Sequence, residues 1–148
     1  MKAEVSVEID RPIGEVFPIA TGKVAEWSIT VVEDEVIEKK PGEVGTTFRC
    51  VTEERGRRME FIGTVTVHEP PSRSAVVLRG KHFDLDVEYV LEDLGGRTRL
   101  TQRSEIHGKG FAKVMFFLLG WLLAKSGKKA GEKELASLKE YCEAVPVE

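Results

Sequence analysis

Cysteine is scarce in this chain: two in 148 residues, Cys50 and Cys142. One falls in a strand-like segment and the other near the C-terminus. They make no disulfide framework, and a reducing, cytoplasmic setting is the expectation. Histidine is nearly as scarce, with only His68, His82 and His107. No set of His, Cys, Asp or Glu has metal-ligand spacing, and the chain has no Gly-rich phosphate loop, Gly-x-Ser-x-Gly elbow or dinucleotide fingerprint. No metal and no cofactor are expected. Neither sign of charge dominates: 22 Lys and Arg stand against 25 Asp and Glu, for a net charge of −3. That balance lacks the basic face that nucleic acid requires. Long hydrophobic runs are missing too. The stretch from Phe111 to Ala124 falls short of the roughly 20 residues that cross a bilayer, and the first residues lack the basic-then-apolar pattern of a secretory signal.

What is present is one domain's worth of core, residues 1–148, with 41% hydrophobic residues and no linker or repeat. Val5, Val7 and Ile9 alternate with Glu4, Ser6, Glu8 and Asp10, which predicts a strand with one dry face. Asp10-Arg11-Pro12 follows, with Asp10 placed to cap a helix and Pro12 in its first turn, ahead of Val16, Phe17, Ile19 and Ala20.

Turn signals then recur at hairpin spacing: Pro41-Gly42, Arg55-Gly56, Pro70-Pro71, Gly80-Lys81 and Gly95-Gly96. Gly95-Gly96 suits a type I′ turn, whose two central residues need positive φ. That turn sets Glu92 against Arg99 and Glu88 against Arg103 on one face. On the other it sets Leu91 against Leu100, Tyr89 against Gln102, Val87 against Ser104 and Leu85 against Ile106. Asp86 opposite Glu105 is a like-charge pair, tolerable on a wet face. A turn at Arg55-Gly56 pairs Glu53 with Arg58, Thr52 with Met59, Cys50 with Phe61 and Phe48 with Gly63. A turn at Gly80-Lys81 pairs Leu78 with Phe83 and Val76 with Leu85. The phase of a strand over residues 29–38 is not fixed by its pattern.

The inner face so defined is apolar: Val5, Val7, Ile9, Phe48, Met59, Phe61, Val65, Val67, Val76, Leu78, Phe83, Leu85, Val87, Leu91, Leu100 and Ile106. Its polar exceptions are Thr52, Tyr89, Gln102 and Ser104, with the thiol of Cys50. An unsatisfied polar group in a dry core costs roughly 1–3 kcal/mol. These groups therefore either satisfy one another or face a cavity and orient a ligand. All three histidines fall in the outward phase, so none serves as an acid or base. Cys50 reads as a small core residue. Asp34 and Glu38 join the inner set only if their strand turns them inward.

From Gly110 to Ala144 the pattern predicts one long helix, with a bend placed near Gly127. Phe111, Met115, Leu118 and Leu122 make one stripe and Leu135, Leu138 and Cys142 another. Gly120, Ala124, Gly127 and Gly131 form a stripe of small residues. Each interior glycine costs about 1 kcal/mol of helix propensity, which close approach to the sheet or room for a bound molecule would offset. Phe116, Leu119 and Leu123 lie away from the Phe111 stripe, as an apolar surface for a homodimer partner or another cover.

The strand, the helix with Arg11-Pro12 and Val16-Phe17, and Trp27 after a second short helix resemble the START-like superfamily, and within it the polyketide cyclase/dehydrase and lipid-transport (SRPBCC) family. Val44-Gly45-Thr46-Thr47-Phe48, Gly56-Arg57-Arg58-Met59-Glu60-Phe61, Glu69-Pro70-Pro71, Gly95-Gly96-Arg97-Thr98-Arg99-Leu100 and Leu135-Ala136-Ser137-Leu138-Lys139 carry the resemblance through nearly the whole chain. It implies an α+β helix-grip fold: a seven-stranded antiparallel sheet wrapped around a long C-terminal helix, two short helices after the first strand, and an apolar pocket between. It supplies no catalytic motif.

The expected function is binding or transport of a hydrophobic small molecule, such as a lipid, polyketide or isoprenoid. Its expected lining is Trp27, Phe48, Cys50, Met59, Phe61, Phe83, Leu85, Val87, Tyr89, Gln102, Ser104, Met115, Leu118 and Leu122. A cyclase or dehydratase acting on an aromatic or polyketide substrate is the alternative. A protein-interaction module using Phe116, Leu119 and Leu123 is the third.

Overall fold

A computed structural model describes residues 2–54 and 56–144; the side chains of residues 112, 116, 117, 119–124 and 126 fall outside the description. Strand β1 (Lys2–Ile9) leads into α1 (Ile13–Gly22) and α2 (Val24–Trp27). Six strands follow: β2 (Val31–Glu38), β3 (Thr47–Glu54), β4 (Arg57–Glu69), β5 (Arg73–Arg79), β6 (Phe83–Asp93) and β7 (Thr98–Gly108). Helix α3 (Phe111–Ala144) closes the chain as one continuous element. The strands form one antiparallel sheet in the order β1-β7-β6-β5-β4-β3-β2. This is the helix-grip arrangement that the sequence predicts.

Two of the three hairpin registers follow the sequence reading. Tyr89 faces Gln102 and Leu91 faces Leu100 across β6–β7. Gly95 and Gly96 hold φ of 81° and 86°, the positive values that their turn needs. Cys50 faces Phe61 and Phe48 faces Gly63 across β3–β4. The third register is corrected: Leu78 pairs with Leu85 and Val76 with Val87. The loop is Lys81-His82, because Gly80 stays in the ladder and donates its N–H to the Phe83 carbonyl at 3.1 Å. A Cβ on Gly80 would lie 2.6 Å from the Phe61 ring, so this glycine permits a close side-chain approach within the sheet. The slip is two residues, and a period of two preserves the faces.

A second correction sits in β4. The register shifts between Val65 and Val67, so the strand bulges there and its phase inverts beyond it. Val67 pairs with Ala75, in the outward row of Glu88, whereas His68 pairs with Ser74, which pairs with Tyr89. His68 is thus on the inner face, its ring centroid 5.7 Å from that of Phe17. The expected helix cap is also revised. Pro12 itself is the N-cap of α1 and no side chain caps it. Asp10 instead donates its backbone N–H to Glu143 at 2.9 Å, which ties the end of β1 to the end of α3.

The core lies at one end of the sheet. Val5, Ile9, Leu91 and Leu100 pack there with Val16, Phe17 and Ala20 of α1, Trp27 of α2, and Leu135, Leu138 and Cys142 of α3. Gly131 brings α3 close to β1: a Cβ there would sit 3.0 Å from Val5. The expected stripe of small residues is therefore explained at Gly131 by close approach. Gly127 has open space around it, and Gly120 and Ala124 lie outside the described side chains.

Candidate functional site

Away from the packed end, the inner face changes character. Phe48, Met59, Phe83, Leu85, Val87, Tyr89, Gln102 and Ser104 point inward by register yet are only half-buried. Three of the aromatic rings along this wall are positioned by what lies beneath or beside them. Phe48 lies over Gly63, where a Cβ would meet its ring at 2.2 Å. Phe61 covers Gly80 and tilts against Phe83 with centroids 5.5 Å apart. Two glycines in strands thus let two phenylalanines lie flat on the sheet, shaping a smooth apolar surface.

Across this wall runs a polar row. Val5, Gln102, Tyr89, Ser74 and His68 follow one another over β1, β7, β6, β5 and β4. Ser74 is 7% exposed. Among the described residues no hydrogen bond reaches the hydroxyls of Tyr89, Ser74 and Ser104 or the amide of Gln102. The alternative in which these groups satisfy one another is therefore not what the fold does. Thr52 Oγ1, further along the same face, is buried without a partner.

Asp34 answers the question left open for β2. It pairs with Cys50, and Val36 pairs with Phe48, so Asp34 shares the inner face while Glu33 and Glu35 turn out. Burial raises the Asp34 carboxyl above the ordinary range. Glu38 lies beyond a second irregularity and pairs with Lys40 at 2.6 Å on the outside. Burial pushes the Cys50 thiol up to about 12, with Asp34 adding to the effect. It is a protonated core thiol, as its sequence context suggested. Burial also raises the Tyr89 phenol, reinforced by Glu134 and Cys50. Glu134 is itself held firmly: it accepts from Ser28 Oγ at 2.8 Å, from Ile29 N at 2.8 Å and from Thr30 N at 3.1 Å.

Other expected lining residues are placed differently. Trp27 belongs to the core, with its indole N–H donating to the Ile19 carbonyl at 3.1 Å and its own carbonyl accepting from Ser137. Met115 and Leu118 are 38% and 65% exposed, so this part of their stripe is not packed on the sheet. Leu122, and the Phe116, Leu119 and Leu123 surface, lie outside the described side chains. Of the residues on the inner face, sequence reading missed Ser74 and His68. No signal marks the bulge that turns His68 inward, whereas Ser74 shares the phase of Val76 and Leu78 and was legible from that alternation.

The outer face carries two further features. Asp86, Glu105 and His107 bring their ligand atoms within 4.8 Å of one another, a mixed oxygen and nitrogen donor set assembled across β6 and β7. His107 Nε2 is 2.9 Å from Asp86. The spacing of these residues in sequence hides the cluster. Beside it, a groove of about 550 Å³ runs over Glu4, Thr66, Ala75, Val77, Glu88 and Arg103. It is an open groove whose lining is mainly apolar, with Glu4, Asp86, Glu88, Arg103 and Glu105 adding charge along it.

Sheet, helix and apolar wall with an internal polar row together define a helix-grip protein of the START-like class. The chain belongs to the family described as polyketide cyclase / dehydrase and lipid transport, whose model matches residues 1–143. Similar solved structures include TTHA0849 from Thermus thermophilus, at 18% identity and TM-score 0.80, covering 97% of this chain and 98% of that one. The Zhui aromatase/cyclase from Streptomyces sp. R1128 is 13% identical with a TM-score of 0.77, covering 97% and 93%. A START superfamily protein from Mycobacterium smegmatis is 16% identical with a TM-score of 0.76, covering 96% and 97%. At these identities the likeness concerns the fold. No curated protein matches the sequence. Among the described residues, no helix is long and apolar enough to cross a membrane.

Proposed function

We propose that this protein binds a hydrophobic small molecule on the inner face of its sheet, beside the first half of α3, as a carrier or binding protein. One observation carries the reading: inward apolar side chains stay half-buried around polar groups that have no hydrogen-bond partner among the described residues, while the other end of the same face is fully packed. Leaving such wall area uncovered forgoes roughly 25 cal/mol per Å² of burial, and a bound apolar molecule recovers it. A few placed polar groups on an apolar wall are what a ligand site needs for orientation. The family description, with its mention of lipid transport, and the aromatase/cyclase neighbour fit the same class of ligand. The cysteine usage fits a cytoplasmic setting.

Native mass spectrometry after mild purification, with a Nile red titration, tests this. Saturable dye fluorescence displaced by an apolar competitor is expected. Absence of both bound species and dye response would end the proposal. Tyr89→Phe combined with Gln102→Ala should weaken a hydroxyl- or carbonyl-bearing ligand about thirty-fold, since two hydrogen bonds of order 1 kcal/mol are lost. The unfolding midpoint should change little.

A cyclase or dehydratase is the second reading, favoured by Asp34. It is an inward carboxyl with raised proton affinity on the same face as the Tyr89 phenol. Such a pair could take a proton and polarise a carbonyl.

A further inference from the structure

Resting on the binding role just proposed, the charge distribution of the inner face specifies the polar end of the ligand. The strand cations that anchor the sheet all point outward. Arg49 and Arg58 meet Glu33, Arg73 and Arg103 meet Glu88, and Arg99 meets Glu8. Arg79 stands in the outward row, opposite Ile62 and Asp84. Arg57 shares the inward phase but sits exposed at the hairpin tip, opposite Glu54. On α3, Lys113, Lys125, Lys128, Lys129 and Lys133 are exposed, and the residues of the helix whose side chains are not described carry no charge in the sequence.

The acids are distributed differently. Asp34 points inward beside Cys50. Glu134 lies one helical turn beyond Gly131, whose Cβ position is 3.8 Å from the Gln102 side-chain amide and hence beside the polar row. The five hydrogen-bond contacts that Ser28, Ile29 and Thr30 make to Glu134 are all donations to its carboxylate, and they fix it as an acceptor-side charge at that end. Tyr89, whose phenol feels the Glu134 carboxylate, and Ser74 beside it offer hydroxyls with no hydrogen-bond partner among the described residues.

An anionic head placed there would meet the half-buried Glu134 carboxylate and, at the exposed mouth, that of Asp34, and apart from the His68 imidazole in the same row no cationic side chain among the described residues faces it. A neutral or positively charged head would meet hydroxyl and amide partners in a favourable field. We infer that the ligand is an amphiphile with a neutral or cationic polar end, such as an alcohol, a ketone or an amine, and not a carboxylate or phosphate.

The test uses ligands that share one tail. Nile red bound to the full-length protein at pH 7.5 is displaced with decylammonium, 1-decanol or decanoate. Decylammonium is expected to displace the dye at a concentration at least ten-fold below that of decanoate. This compares two charged heads of similar hydration cost, with decanol as the neutral reference. Asp34→Asn, a substitution at the accessible mouth of the face, should narrow the ammonium-to-carboxylate ratio about five-fold. Decanoate binding as well as decylammonium would overturn the inference, as would a ratio unchanged in Asp34→Asn. If the dye binds and selectivity is absent, only this inference fails; if no dye binds, the binding role itself fails.

Discussion

At the scale of single residues, chemistry on this fold is governed by burial. The Cys50 thiol is pushed up to about 12 and the Cys142 thiol to about 11, both mainly because a thiolate loses its water there. Neither is a nucleophile at neutral pH. The consequence for stability has a definite sign. A thiol ionises near pH 9 once unfolded, so above that pH the unfolded chain releases protons that the native one retains, and the equilibrium shifts toward unfolding. The thiol contribution is complete below about pH 9 and is lost as pH rises toward 11 and 12. Urea midpoints should hold steady from pH 7 to 8.5 and fall by pH 10.5, with Cys50→Ala reducing the fall. A midpoint that rises through this window would contradict the burial of the thiols. Gly63 shows the same dependence on surroundings: its missing side chain is what lets the Phe48 ring lie on the sheet.

At the scale of elements, alternation and turn chemistry did most of the work. Outer-face ion pairs agree with the register, as in Glu4 with Arg103 and Glu92 with Arg99. Being exposed, each adds at most about 1 kcal/mol, so they select among registers more than they stabilise. The pattern failed where one residue was added or withheld. The β4 bulge reversed Val67 and His68, and the retention of Gly80 in the ladder moved a hairpin by two. Neither is encoded by hydrophobic period; at Gly80 the retained position leaves room for the Phe61 ring. At the joint between α2, β2 and α3 the Glu134 carboxylate gathers three neighbouring donor residues, beside the Ser137 hydroxyl that donates to the Trp27 carbonyl. Charged hydrogen bonds of this kind contribute about 1.5–3 kcal/mol. Glu134→Ala should therefore cost about 2 kcal/mol, read by denaturant unfolding, with faster amide exchange confined to residues 28–31. Uniform acceleration across the sheet would show that the joint is not local.

At the scale of the whole molecule, one curved sheet serves two purposes at its two ends. Leu138 is fully buried at the packed end, and Leu138→Ala should cost about 3 kcal/mol, within the range for a deleted core leucine. Leu85 is inward but half-buried. Leu85→Ala should cost about 1 kcal/mol and act chiefly on Nile red affinity. Equal stability losses at the two sites would remove the distinction between core and binding wall. By itself the sequence determined the element order and the inner set of Phe48, Cys50, Phe61, Tyr89 and Gln102, while its motifs, through their resemblance to a known family, implied the helix-grip fold class. The order and the inner set follow from local period and turn residues, which one strand or helix carries alone. Only the tertiary structure decided that Trp27 is core, that Asp34 and His68 join the inner face, and that Asp86, Glu105 and His107 meet outside. Each of these depends on where strands distant in sequence come to lie beside one another, and that is set by packing against groups that no local pattern records.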